Sequence, residues 1–147
     1  MKRLTVFLFI SLLAFATMGF ARDAAEVNWD AFSKNLAVAL ASGNEGLQQS
    51  AISHVIEYCE NLEMNDAAVD LVRIYRNNKD ERMRQMAVVV LHKVNNKWAM
   101  DFLFRNYKFE NNPTIKRMIA DCFYQQQQKL LAIQLNEQKK LIAESTK

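Results

Sequence analysis

The chain has 147 residues, half of them hydrophobic, with 19 Lys and Arg, 16 Asp and Glu, two Cys, three Gly and one Pro. That length holds one packed domain and excludes a large multidomain assembly. The scarcity of helix breakers points to helices throughout, and the near balance of charge argues against a general polyanion binder.

The first segment to read is an export signal. Lys2 and Arg3 precede an almost unbroken apolar run from Leu4 to Phe15, and Gly19 and Ala21 place small residues where a signal peptidase reads them. Cleavage after Ala21 is expected, with Ala16 a second candidate site. The run is too short for a span of ~20 apolar residues, and no cysteine stands nearby to carry a lipid anchor. The chain is therefore expected in the periplasm or outside the cell. Removing residues 1–21 leaves 126 residues with 17 basic and 16 acidic side chains.

The next elements repeat. Helices are expected to begin at Asn44, Asp80 and Asn112, with apolar residues in register at spacings of 36 and 32. Leu47, Ala51 and Val55 align with Met83, Ala87 and Leu91, and these with Ile115, Ile119 and Phe123. Partner helices precede them: Asn35-Leu36-Ala37, Asp70-Leu71-Val72 and Asp101-Phe102-Leu103 align at 35 and 31. Gly43, the Asn77-Asn78 pair and Asn111-Asn112-Pro113 end these partner helices. Three helix pairs result, at about residues 29–59, 66–95 and 97–127, and one such unit needs neighbours to bury its apolar face. Trp29, Phe32, Leu36 and Leu40 close the first end.

Asp80, Met83, Arg84, Ala87, Val90 and Leu91 together resemble the second helix of a HEAT repeat. Asp80 caps the helix, and small Ala87 admits the partner helix. The other copies depart from the pattern, with Asn44 and Gln48 in the first and Asn112 and Lys116 in the third. The Asp/Arg ladder of long HEAT arrays is thus absent. The resemblance implies an all-α, HEAT-like α-solenoid over residues 22–128, with second helices lining the concave side. It implies no activity, because such folds host many functions.

On that concave side, Ile52, Val88 and Ala120 form one row and Ile56, His92 and Tyr124 another, flanked by Lys93 and Arg117. Apolar and aromatic residues rimmed by charge suit a protein or peptide partner. The expected partner-binding residues are Ile56, Val88, His92, Lys93, Arg117 and Tyr124; the alternative is that the rows pack between adjacent repeats. Charge is also polarised. Residues 22–65 hold 2 basic and 7 acidic side chains, while residues 66–117 hold 11 basic and 6 acidic. Arg73, Arg76, Arg82, Arg84, Lys93, Lys97 and Arg105 suggest an alternative function, binding of an anionic envelope polymer or membrane surface.

Chemistry is sparsely represented. His54 and His92 lack metal-ligand neighbours on their own helix faces, and His54 reads as a hydrogen-bonded core histidine. No phosphate loop, nucleophile–base pair or spaced carboxylate pair is present. No cofactor, metal or enzymatic activity is expected, and export takes the chain away from nucleic acid. Cys59 and Cys122 fall in units two apart, beyond disulfide reach, and read as unpaired, mostly buried thiols.

The final segment, residues 129–147, follows four glutamines, Gln125 to Gln128. Leu131, Leu135 and Ile142, with Leu130 and Leu141 beside them, form an apolar stripe. This helix is expected either to cap the open end of the stack or to act as a coiled-coil or partner-binding tail.

Overall fold

The computed structural model describes residues 27–145, so the leader and the cleavage site near Ala21 lie outside the described residues. Within them, α1 spans Trp29–Ala41, α2 Glu45–Tyr58, α3 Ala68–Asn77, α4 Glu81–Val94, α5 Lys97–Asn106 and α6 Pro113–Ser145. Short 3-10 turns at Cys59–Asn61, Asn65–Ala67 and Tyr107–Phe109 complete an all-helical structure with no strand among the described residues.

Side-chain caps set most of the starts. Asn28, Asn44, Asp80 and Asn96 each accept a backbone N–H of the first turn, at 2.8–3.2 Å. Asn112 Oδ1 accepts from both Thr114 and Ile115 at 3.0 Å, and Pro113 occupies the first helical position, where its missing N–H costs nothing. Two stops use the left-handed backbone region: Gly43 at φ 70° after α1 and Asn95 at φ 52° after α4.

The helices pack in two rows. α1, α3 and α5 contact in sequence along one row, α2, α4 and α6 along the other, and each helix also touches its pair mate. The core runs along the seam between the rows through Leu40, Val55, Leu71, Leu91, Leu103 and Ile119, all fully buried. The aligned small positions Ala51 and Ala87 are buried, with 2% and 0% exposure, letting neighbouring helices approach. Leu47 departs from its aligned partners: it is 51% exposed while Met83 and Ile115 are buried, because no preceding unit covers it.

A polar device repeats with the units. Gln48 Nε2 donates to the carbonyl of Leu40 at 3.0 Å, and Arg84 Nε, at the aligned position, donates to the carbonyl of Tyr75 at 2.9 Å. Leu40 and Tyr75 are themselves aligned. Each side chain thus satisfies an orphan carbonyl at the end of its own first helix.

Arg73 of the second pair also reaches back, to the carbonyls of Leu40 and Ala41 at 3.4 and 3.2 Å. Arg84 reaches forward, donating through Nη2 to Glu110 Oε2 at 2.6 Å. Adjacent pairs are therefore clamped by hydrogen bonds as well as by apolar contact.

Candidate functional site

Of the two expected rows, the first is taken up by packing at Ile52 and Val88, while Ala120 stays half-buried beside a groove between α5 and α6. Ile52 and Val88 are completely buried, so Val88, expected among the contact residues, presents no surface in this structure. The cause is direct contact of α2 with α4 and of α4 with α6. Ile56 is half-buried against the core, whereas Lys93 and Arg117 are exposed.

His92 joins two helices. Its Nε2 lies 3.1 Å from Gln125 Oε1, to which the ring donates in its Nε2–H tautomer. The other nitrogen, Nδ1, is buried without a partner among the described residues. A polar hollow of about 260 Å³ sits here, lined by His92, Lys93, Asn95, Gln125, Gln126 and Lys129. His54 differs from expectation. It stacks on Tyr58 and meets Phe32 edge-on, but its Nδ1 has no hydrogen bond among the described residues.

The exposed apolar surface gathers elsewhere. Phe104, Tyr107, Ala120, Phe123, Tyr124 and Gln127 line an open apolar groove of about 260 Å³ between α5 and α6. Phe104 and Tyr124 are 63% and 65% exposed. From this groove α6 continues as one rod, every residue from Gln127 to Ser145 being exposed. Leu130, Leu131, Leu135, Leu141 and Ile142 all lie on it, 52–66% exposed. The segment is thus a tail rather than a cap.

The apolar face of α6 changes side along its length. Ile115, Ile119 and Cys122 pack into the core. At about 100° per residue, Tyr124, Leu131, Leu135 and Ile142 fall roughly 170° round the helix from them. The line that faces the core is continued in the tail by Gln126, Lys129, Leu130, Ile133, Glu137, Lys140 and Glu144, of which only Leu130 and Ile133 are apolar. The tail stripe therefore does not extend the core; it forms a separate exposed apolar surface beginning at the groove.

Phe104 and Tyr107 belong to neither expected row. Phe104 aligns with Val38 and Arg73, two exposed positions on the outer side of the first helices. An aromatic at an outward register position is the signal the sequence offers for it.

The basic segment is largely committed within the fold. Arg73 pairs with Asp70 at 2.9 Å, Arg84 with Glu110, and Lys97 with Asp101 at 2.9 Å. Arg105 Nε donates to the Asp101 carbonyl at 3.3 Å, and Arg76 lies 5.7 Å over the Phe102 ring. These contacts neutralise or anchor five of the seven cations.

The strongest polar cluster surrounds Glu110, which is 8% exposed. Its carboxylate accepts from Arg84, from Tyr75 Oη at 3.0 Å and from the Asn112 amide at 2.9 Å. Burial acts to raise its pKa, but these donors outweigh burial and hold it below the usual carboxylate range. Burial, and then the bond to Glu110, push the Tyr75 phenol up. With its lone pairs committed to three donors, Glu110 is a structural anion rather than a general acid.

Both cysteines are unpaired; Cys122 is buried and Cys59 half-buried. Burial, followed by the nearby Asp121 charge, raises the Cys122 thiol to about 11. Among the described residues no three His, Cys, Asp or Glu side chains converge to hold a metal ion, and no helix is long and apolar enough to cross a membrane.

No known family matches this chain, and neither does any curated protein or solved structure.

Proposed function

We propose that the chain is an exported, HEAT-like α-solenoid of three helix pairs that works as a non-catalytic protein-interaction module in the periplasm or outside the cell. The repeat reading is supported by the two rows of contacting helices and by the aligned donors Gln48 and Arg84. Export is supported by the basic start, apolar run and small-residue exit of residues 1–21.

The observation that carries the interaction reading is the exposed apolar stripe from Phe104, Tyr107 and Tyr124 along the tail through Leu131, Leu135 and Ile142, interrupted only by glutamines. Monomeric surfaces scatter single apolar residues, whereas contiguous stripes mark contact sites. The contact surface thus lies one face away from the His92 row, with Tyr124 shared between the two.

Affinity capture from an envelope extract tests this reading, comparing the wild type with a Leu131→Asp, Leu135→Asp double variant at low and high salt. Recovery of protein at both salts by the wild type, lost in the variant, is the expected result. Capture that ignores the substitutions and disappears with salt would overturn it in favour of the anionic polymer or membrane surface, since screening weakens such binding.

A further inference from the structure

The tail and the groove share one fitting occupant. We infer that a second copy of this chain covers them, its tail antiparallel, in a homodimer built on residues 124–142. This deepens the interaction-module reading and rests on it.

Tyr124, Gln128, Leu131, Leu135, Gln138 and Ile142 follow one another at steps of 4, 3, 4, 3 and 4, the a/d spacing of a two-helix seam. The sequence of this seam is self-complementary in the antiparallel sense. Leu131 falls opposite Leu135 of the second copy, Gln128 opposite Gln138, and Tyr124 opposite Ile142. Apolar residues meet apolar residues. Each glutamine meets another glutamine, whose amide both donates and accepts.

Charge supports the same occupant. Lys129, Glu137, Lys140 and Glu144 lie off the seam, leaving Lys139 as its one charged flank residue. In the antiparallel register Lys139 faces Gln125 of the second copy, so like charges do not meet. A partner selected by charge would call for flanks of one sign, which this helix lacks.

The groove fixes the direction. Tyr124 and Ile142 are about 27 Å apart along the helix, at 1.5 Å per residue. An antiparallel partner brings its Leu141 and Ile142 to the groove of Phe104, Tyr107 and Tyr124, at both ends of the pair. A parallel partner leaves both grooves open and crowds the two helical domains together. With two glutamines among six seam positions, the pairing is weak and concentration-dependent.

Sedimentation equilibrium on the chain, purified as the expressing cell processes it, tests the proposal together with two single variants, Leu131→Lys and Leu135→Glu. The wild type is expected to rise from the mass of one chain to that of two with concentration. Each variant alone is expected to stay at half the wild-type limiting mass, with the circular dichroism of a folded helical domain. An equal mixture of the two variants is expected to return to the mass of two chains, because antiparallel pairing sets the lysine introduced in one chain directly against the glutamate introduced in the other. Parallel pairing keeps those charges on separate layers. A wild type that remains one chain at every concentration, or a mixture that fails to re-form pairs, overturns the inference. The envelope capture above then reports separately: a partner still lost on the double substitution preserves the interaction reading, and no such partner removes both.

Discussion

Glu110 concentrates the polar energetics of the second and third pairs in one buried side chain. Replacing it with Ala leaves Arg84 and Tyr75 without their acceptor, and the expected loss is about 2–3 kcal/mol, readable as a fall in the urea midpoint. The pH dependence has a definite sign. A carboxyl whose folded pKa is depressed contributes stability above the ordinary carboxylate range and loses it as pH falls through the folded value. Wild type should therefore lose more stability between neutral pH and acid than Glu110→Gln, and parallel titrations of the two would contradict this account. At the thiols, the buried, raised Cys122 should react with a disulfide reagent more slowly than half-buried Cys59, with both reacting at once in denaturant. A Cys59–Cys122 bridge on a non-reducing gel would contradict the stacked arrangement.

Among the elements, the stops are as informative as the starts. Asn95 holds φ 52° at the end of α4, a region that favours Gly over every other residue. Asn95→Gly should be neutral or slightly stabilising, whereas Asn95→Val should cost about 1–2 kcal/mol, as thermal unfolding would report. Gly43, at φ 70°, has no heavy atom near an added Cβ, so Gly43→Ala should lose only about 1 kcal/mol to backbone strain. The caps at Asn44, Asp80 and Asn112 and the break at Gly43 are legible in the sequence because each is a local event within four residues. The end of the second pair near residue 95 is read as well, but the left-handed backbone of Asn95 is not, since asparagine serves equally well in turns, caps and left-handed positions. The shared role of Gln48 and Arg84 is hidden for another reason: different side chains reach the same carbonyl, and alignment by residue type does not see reach.

At the scale of the whole molecule, the periodic apolar residues make the helices readable, because burial of one face imposes helical spacing on each of them. The candidate site is less readable. Val88 and Tyr124 occupy neighbouring rows, yet Val88 is sealed between α2, α4 and α6 while Tyr124 projects from the last helix. A row on one helix does not reveal which neighbour covers it. The apolar stripe of the tail is visible in the sequence, but its position on the side opposite the core face emerges only once Ile115, Ile119 and Cys122 are seen to be buried.

The central claim is that this stripe is a contact surface. Most helical stability in proteins comes from tertiary packing, and residues 127–145 are exposed throughout, so a tail without a partner frays and exchanges its amides rapidly. Amide hydrogen exchange along α6, measured at several protein concentrations, tests the claim most directly. The account predicts that residues 124–145 and the groove segment at residues 104–107 gain protection as concentration rises and lose it in Leu135→Glu, with residues 29–94 unchanged. Exchange of the tail at the rate of unstructured chain at every concentration, in the purified protein and in the presence of the envelope extract alike, would contradict it.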